Sequence, residues 1–262
     1  MPQLENIKPK VIGVIPARFG STRFPGKPLV KIGNKTMVHW TYQSSKSCNL
    51  LDQVIVATDD ERIQQEVESF GGEVILTRTD HATGTDRLIE VANKLKENIN
   101  SKQDIIVNIQ GDEPGIESIL IEGVVNLKLS KPQWAMTTAA VPMLIEDAKD
   151  PNRVKVVFTH EGKALYFSRS MIPFPLNANA DGYQYFRHLG IYCYNFDFLL
   201  NYNQLPKSSL EQIESLEQLR AMEAGYDIGI FLTDKATLSI DQPDDVALVE
   251  KDFRTKGWIG CL

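Results

Sequence analysis

Four short apolar runs, separated by helix-forming stretches, constrain this chain more than any other feature. They are Val11-Ile12-Gly13-Val14-Ile15, Val54-Ile55-Val56-Ala57, Val74-Ile75-Leu76 and Ile105-Ile106-Val107-Asn108-Ile109. A strand with one wet face alternates polar and apolar side chains, whereas a strand that is apolar throughout is covered on both faces. Residues 36–47 have helical character. A second helix starts at Thr58-Asp59-Asp60-Glu61, where short polar and acidic residues suit the free N–H groups and the positive end of the dipole, and Gly71-Gly72 ends it. In residues 86–96, Leu88, Val91, Ala92 and Leu95 fall on one helical face. This alternation predicts an α/β fold with a mostly parallel, doubly wound, Rossmann-like sheet. The first strand is expected to stop at Pro16. Ligands of such sheets bind at the carboxyl ends of the strands, so the loops after Ile15 and Ile109 come under suspicion first.

The middle of the chain has another character. Residues 154–158 and 164–168 read as a hairpin around His160-Glu161-Gly162-Lys163, and 189–194 as a further strand, with a Pro- and Asn-rich loop at 173–182. We expect one domain over residues 1–262, with a β-rich insertion at about 131–195. Beyond it, 210–224 predicts one helix ended by Gly225, 228–232 a strand, and 241–254 a turn and helix.

Composition removes several classes. The formal charge of −6 disfavours a nucleic-acid coat, which needs a basic face. No apolar run approaches the roughly 18 residues of a membrane span, and the first residues lack a signal-peptide core. Three scattered cysteines form no CxxC pair, so a zinc or disulfide scaffold is not suggested. A reducing, cytoplasmic setting is expected, with no nucleic-acid partner and no membrane insertion.

Against that acidic background, residues 16–28 stand out: Arg18, Arg23 and Lys27 with Gly20 and Gly26, directly after a buried strand. Glycine lets consecutive N–H groups face an anion, and Arg and Lys suit phosphate oxygens. The loop is not a Walker A motif, since five residues separate Gly20 from Gly26 where four are needed, and Pro28 replaces Ser or Thr. There is no GxGxxG for a dinucleotide. Asp112, after the fourth run and beside Gly111, suits a hard divalent cation shared with substrate phosphates, or a plain turn. Asp241 is its natural partner, or a helix cap.

Pro16-Ala17-Arg18-x-x-Ser21-x-Arg23-x-Pro25-x-Lys27-Pro28 resembles the signature of sugar nucleotidyltransferases of the cytidylyltransferase type, and most nearly the 3-deoxy-manno-octulosonate (Kdo) cytidylyltransferases. Asp59-Asp60, Gly84-Thr85-Asp86-Arg87, Gln110-Gly111-Asp112-Glu113-Pro114, Tyr166-Phe167-Ser168-Arg169, His188-Leu189-Gly190-Ile191, Leu216-Glu217-Gln218-Leu219-Arg220 and Ile240-Asp241-x-Pro243 extend the likeness in the family's order. The resemblance implies a nucleotidyltransferase sheet, a homodimer joined through the β-rich insertion, and transfer of CMP from CTP to Kdo. It implies Mg²⁺ on Asp112 and Asp241, with Arg18 and Lys27 as the catalytic cations. It places CTP against Ala17, Arg18, Ser21, Arg23, Lys27, Gly84, Thr85 and Arg87.

Kdo, an acidic eight-carbon sugar, needs a cation for its carboxylate and fixed donors and acceptors for its hydroxyls. Gln110, Arg169, His188, Tyr192, Glu217 and Gln218 fit those needs and match family positions. Residue chemistry alone leaves other readings open: Tyr192 as core, His188 as a satisfied structural histidine, Glu217 as a solvated carboxylate paired with Arg220. Another acidic sugar, 8-amino-Kdo or neuraminate, is the alternative substrate. A non-catalytic nucleotide-binding protein is the alternative class.

Overall fold

The computed structural model describes residues 8–20, 24–99, 103–176 and 182–260. Strand β1 (Val11–Ala17) leads through the cationic loop to a small ribbon, β2 (Lys31–Ile32) and β3 (Lys35–Thr36), and then α1 (Met37–Lys46). The repeating units follow: β4 (Gln53–Thr58), α2 (Glu61–Ser69), β5 (Glu73–Leu76), α3 (Gly84–Leu95), β6 (Ile105–Asn108) and α4 (Ser118–Ser130). Then come β7 (Met136–Met143), the short α5 (Ile145–Ala148), β8 (Lys155–Phe158), β9 (Ala164–Ser168) and β10 (Tyr185–Asn195). The remainder is α6 (Phe196–Asn201), α7 (Ser209–Glu214), α8 (Gln218–Glu223), β11 (Ile228–Leu232) and α9 (Asp245–Thr255).

The main sheet has the order β11-β7-β10-β6-β1-β4-β5. Its β6-β1-β4-β5 half is parallel, as is the β11–β7 pair, while β10 runs antiparallel to both β6 and β7. Both faces are covered. Ile12 and Val14 of β1 pack with Leu88 and Val91 of α3 and with Leu199 of α6. Val11 and Ile15 pack with Val38 of α1, Ile63 of α2 and Ile121 of α4 on the other side. A smaller cluster of Ile32, Met37, Trp40, Ile240, Val249 and Phe253 ties α9 and the turn before it to α1. That cluster sets where Asp241 stands.

Four expectations need correction. β1 continues through Pro16 to Ala17. The Val14 carbonyl accepts the Ile109 N–H, so by two-residue alternation the missing N–H of Pro16 faces the β6 side, where β6 has already ended. The 131–195 block is no unitary insertion, since β7 and β10 belong to the main sheet. Only the β8–β9 hairpin projects, joined to β10 through the Arg187–Lys155 pair. The strand read at 189–194 begins at Tyr185 and carries an irregularity between Leu189 and Tyr192. The helix expected over 210–224 is broken into α7 and α8 at Ser215, which adopts φ 52°. Arg169 holds that break, its Nε donating to the Glu214 carbonyl at 2.7 Å and its backbone N–H to the Glu214 carboxylate at 2.8 Å.

Candidate active site

The suspected loops after β1 and β6 meet at the carboxyl end of the parallel half and line a cleft of about 230 Å³ with Arg18, Lys27, His81, Gly84, Arg87, Gln110, Asp112 and Asp241. Gly111 makes the meeting possible. A Cβ on it would stand 2.5 Å from the Pro16 carbonyl oxygen, so the two loops approach more closely than any side chain there permits. In the first loop, Gly26 supplies φ 73° and its N–H closes onto the Phe19 carbonyl at 2.9 Å. A short 3₁₀ turn over Lys27–Leu29, with Pro28 buried, then fixes the Lys27 backbone. Gly20 does not use the left-handed region. Ser21 and Arg23 lie outside the described residues.

Lys27 organises the floor. Its Nζ donates to Asp112 Oδ2 at 2.9 Å and to the Ile240 carbonyl at 2.7 Å, and lies 3.9 Å from Asp241 Oδ1. The Ile240 N–H donates to the Asp112 carbonyl at 2.9 Å, stitching the two acidic segments together. Asp245 holds the Asp241 turn by accepting the N–H groups of Asp241 and Gln242, each at 2.8 Å. Beside them, burial and then the Asp112 and Asp241 charges push the Glu113 carboxyl up to about 8, against the opposing pull of Arg187. The acid at 113 therefore favours its neutral form. Asp112, Asp241 and the Ile240 carbonyl present oxygens toward Lys27, which suits a hard cation.

The opposite wall comes from the start of α3. Thr83 and Asp86 form a reciprocal capping box, which presents Gly84 at the cleft. Arg87 lines the same wall but is buried, its guanidinium committed to Asp59 at 2.8 Å and to the Thr77 hydroxyl. Ala17 is buried at the end of β1, and Arg18 is exposed at the mouth.

A polar strip leads away from the cleft. Gln110 donates to the Gly190 carbonyl at 2.7 Å. Two residues on, the Tyr192 hydroxyl donates to Gln218 Oε1 at 3.1 Å, and the buried Gln218 Nε2 has no partner among the described residues. Glu217 accepts from the Thr85 hydroxyl at 2.6 Å, returning the strip to the cleft wall. Arg220 pairs with Glu211, not with Glu217. Arg169 is not among the residues lining the cleft; its guanidinium faces the carbonyls of Pro151, Glu214 and Ser215.

His188 is buried, with Nε2 2.9 Å from the Thr138 hydroxyl. That hydroxyl has one proton and two carbonyl neighbours, Ile191 at 2.6 Å and Leu189 at 3.0 Å, so the proton goes to a carbonyl and His188 Nε2 donates. Burial first, then the Arg187 charge, lowers its pKa from 6.5 to about 3. The folded protein thus favours the neutral imidazole, and the associated stability is complete above pH 6.5 and lost as pH falls toward 3. We predict about 1.4 kcal/mol lost per pH unit below that value, hence about 2 kcal/mol between pH 7 and 5 from this group. Urea unfolding at the two pH values should show that His188→Gln removes this part of the slope. An unchanged slope in the variant rules the assignment out.

Sequence reasoning missed several supports of the site. The Thr83-x-x-Asp86 spacing is a readable capping signal. Asp59 was read only as part of a helix start and of the family likeness, not as the partner of Arg87, while Thr77 beneath Arg87 and Thr138 behind His188 carried no local signal.

Comparison with known proteins finds likeness along nearly the whole chain. A family model described as Cytidylyltransferase matches residues 12–228. The chain is 57% identical over 251 residues to the 3-deoxy-manno-octulosonate cytidylyltransferase of Leptospira interrogans, covering 95% of this chain and 98% of that protein. It is 46% identical to that of Syntrophotalea carbinolica, covering 93% and 98%. Among solved structures, a CMP:2-keto-3-deoxy-manno-octonic acid synthetase complexed with CTP superposes with a TM-score of 0.89 at 43% identity, covering 94% of this chain and 99% of that one.

Proposed function

Because the chain belongs to the 3-deoxy-manno-octulosonate cytidylyltransferase family and makes CMP-Kdo from CTP and Kdo, we propose that this reaction runs in the cleft between the β1 and β6 loops. The observation that carries the placement is the convergence of Lys27, Asp112 and Asp241 at a glycine-fitted meeting of two strand ends. The anomeric hydroxyl of Kdo attacks the α-phosphorus of CTP in line, and pyrophosphate leaves from the opposite side. Charge grows on the equatorial and leaving oxygens, where fixed cations act most strongly. Arg18 and Lys27 supply them, with Arg23 assisting and Ser21 among the residues that bind CTP. Gly84 and Thr85 border the nucleotide, while Arg87 acts from below by holding the wall that carries them.

Asp112 and Asp241 fit Mg²⁺, since both approach one ammonium within 4.0 Å and the donor set is oxygen throughout. Bound there, the ion would neutralise phosphate charge and favour ionisation of the attacking hydroxyl. Gln110, Tyr192, Glu217 and Gln218 hold the sugar along the polar strip, and His188, expected among them, packs behind Tyr192. The unpartnered Nε2 of Gln218 supports this, because it awaits an acceptor. Arg169, expected at the sugar carboxylate, is instead committed to the Pro151, Glu214 and Ser215 carbonyls; it sets the α7–α8 break and so the position of Glu217 and Gln218.

A pyrophosphate-release assay tests the reading with CTP or UTP against Kdo, 8-amino-Kdo and neuraminate. Release that requires CTP and Kdo is expected. Release with UTP alone, or with another sugar in preference, overturns the substrate assignment.

The protein acts as a homodimer in this reading. Leu144, Phe174, Leu176 and Tyr183 are exposed around the Met143–Tyr185 cluster, near the β8–β9 hairpin, and are suited to a partner. The hairpin itself contributes less than its composition suggests, since Val156 and Phe167 are buried within the protomer. Sedimentation showing only monomer at micromolar concentration overturns it. The reaction is assigned to the cytoplasm. Cys48 and Cys193 are buried free thiols, and no helix among the described residues is long and apolar enough to cross a membrane.

A further inference from the structure

The Lys27 ammonium lies between the two carboxylates read as ligands of the divalent ion, 2.9 Å from one and 3.9 Å from the other. We propose that Lys27 is an internal placeholder for that ion, so that divalent-cation binding and triphosphate binding are coupled through the movement of one side chain. The inference rests on the reading of Asp112 and Asp241 as ion ligands and concerns what Lys27 does to them.

An ammonium and a divalent ion seeking the same carboxylate oxygens compete, since each repels the other at that separation and the ammonium occupies oxygens the ion would need. The position is well made for an ammonium. The Ile240 carbonyl gives a third acceptor at 2.7 Å, and the Lys27 side chain is only 14% exposed. It also allows departure. The backbone is locked by the Gly26 turn and buried Pro28, so only the flexible four-carbon stem has to swing. Arg18, which is exposed, lines the same cleft and offers a second cation to an incoming triphosphate. Phosphate oxygens offer the ammonium a new partner, and its departure frees the carboxylates for the ion. Linkage then requires the reciprocal effect: an ion on the carboxylates favours Lys27 turned toward phosphate, and so favours nucleotide. Meanwhile the placeholder keeps two converging carboxylates from repelling each other.

The test is a titration with Mn²⁺ in the absence of nucleotide, the free ion being followed by its electron paramagnetic resonance signal. Lys27→Met is expected to bind Mn²⁺ about 10-fold or more tightly than the wild type, within the range of typical site couplings. Lys27→Gln is measured alongside, so that a folding defect in one variant leaves the other to decide. The tightening should vanish when Asp112→Asn is added. Binding by the lysine variants that equals or falls below that of the wild type overturns the proposal, as does tightening that survives Asp112→Asn. Pyrophosphate release by the wild type is read separately. Its absence would sink the functional reading, whereas active wild type with no tightening sinks the placeholder alone.

Discussion

Asp112→Asn is expected to lower kcat by about 10³-fold with CTP and Kdo, the loss found when a group stabilising transition-state charge is removed. The substitution keeps the size of the side chain and removes its charge. The Lys27 ammonium keeps the Ile240 carbonyl but loses its 2.9 Å ionic partner. Asp241 alone then faces the cation, on a turn fixed by Asp245 that cannot move inward without breaking two 2.8 Å hydrogen bonds. Asp241→Asn should cost a comparable factor, and the double variant little more than either, because groups serving one charge act as a unit. Single-turnover pyrophosphate release measures this. Near-normal turnover in Asp112→Asn would remove the carboxylate pair from the chemistry.

Gly111→Ala should lower kcat/KM by about 10²-fold without touching a charged group, the penalty for displacing reacting parts by about 1 Å. The new methyl would lie 2.5 Å from the Pro16 carbonyl oxygen, and backbone cannot yield as a side-chain tip does. The β6 loop must therefore move off the β1 loop and carry Asp112 away from Lys27. Steady-state kinetics beside an unfolding curve distinguish the outcomes. Wild-type kcat/KM in a folded Gly111→Ala protein would mean that the close approach of the loops is unimportant.

Much of this was legible in the residues, and what was not has identifiable physical causes. β1, β4 and β6 announced themselves because strands buried on both faces have nowhere to place polar side chains, while β5, a half-exposed edge strand, was legible only as a short apolar run. The Arg18–Lys27 loop stood out because a cation cluster in an acidic chain needs a reason. β7, by contrast, mixes Thr137, Thr138 and Pro142 with small apolar residues, and α4 is apolar around most of its circumference, so neither shows a clean period. The reversed direction of β10 is a property of its neighbours rather than of its composition. The break at Ser215 is imposed by Arg169, a residue 46 positions away. No spacing rule relates Lys27 to Asp112 and Ile240, which lie 85 and 213 residues further on. The family likeness brought those residues into one list, and the packing of Ile240 with Trp40 and Phe253 brings them to one point.

That last contact has a consequence for biosynthesis. The cationic loop is made well before the segment bearing Asp241, so the floor around Lys27 is complete only once α9 and the turn before it have packed against α1.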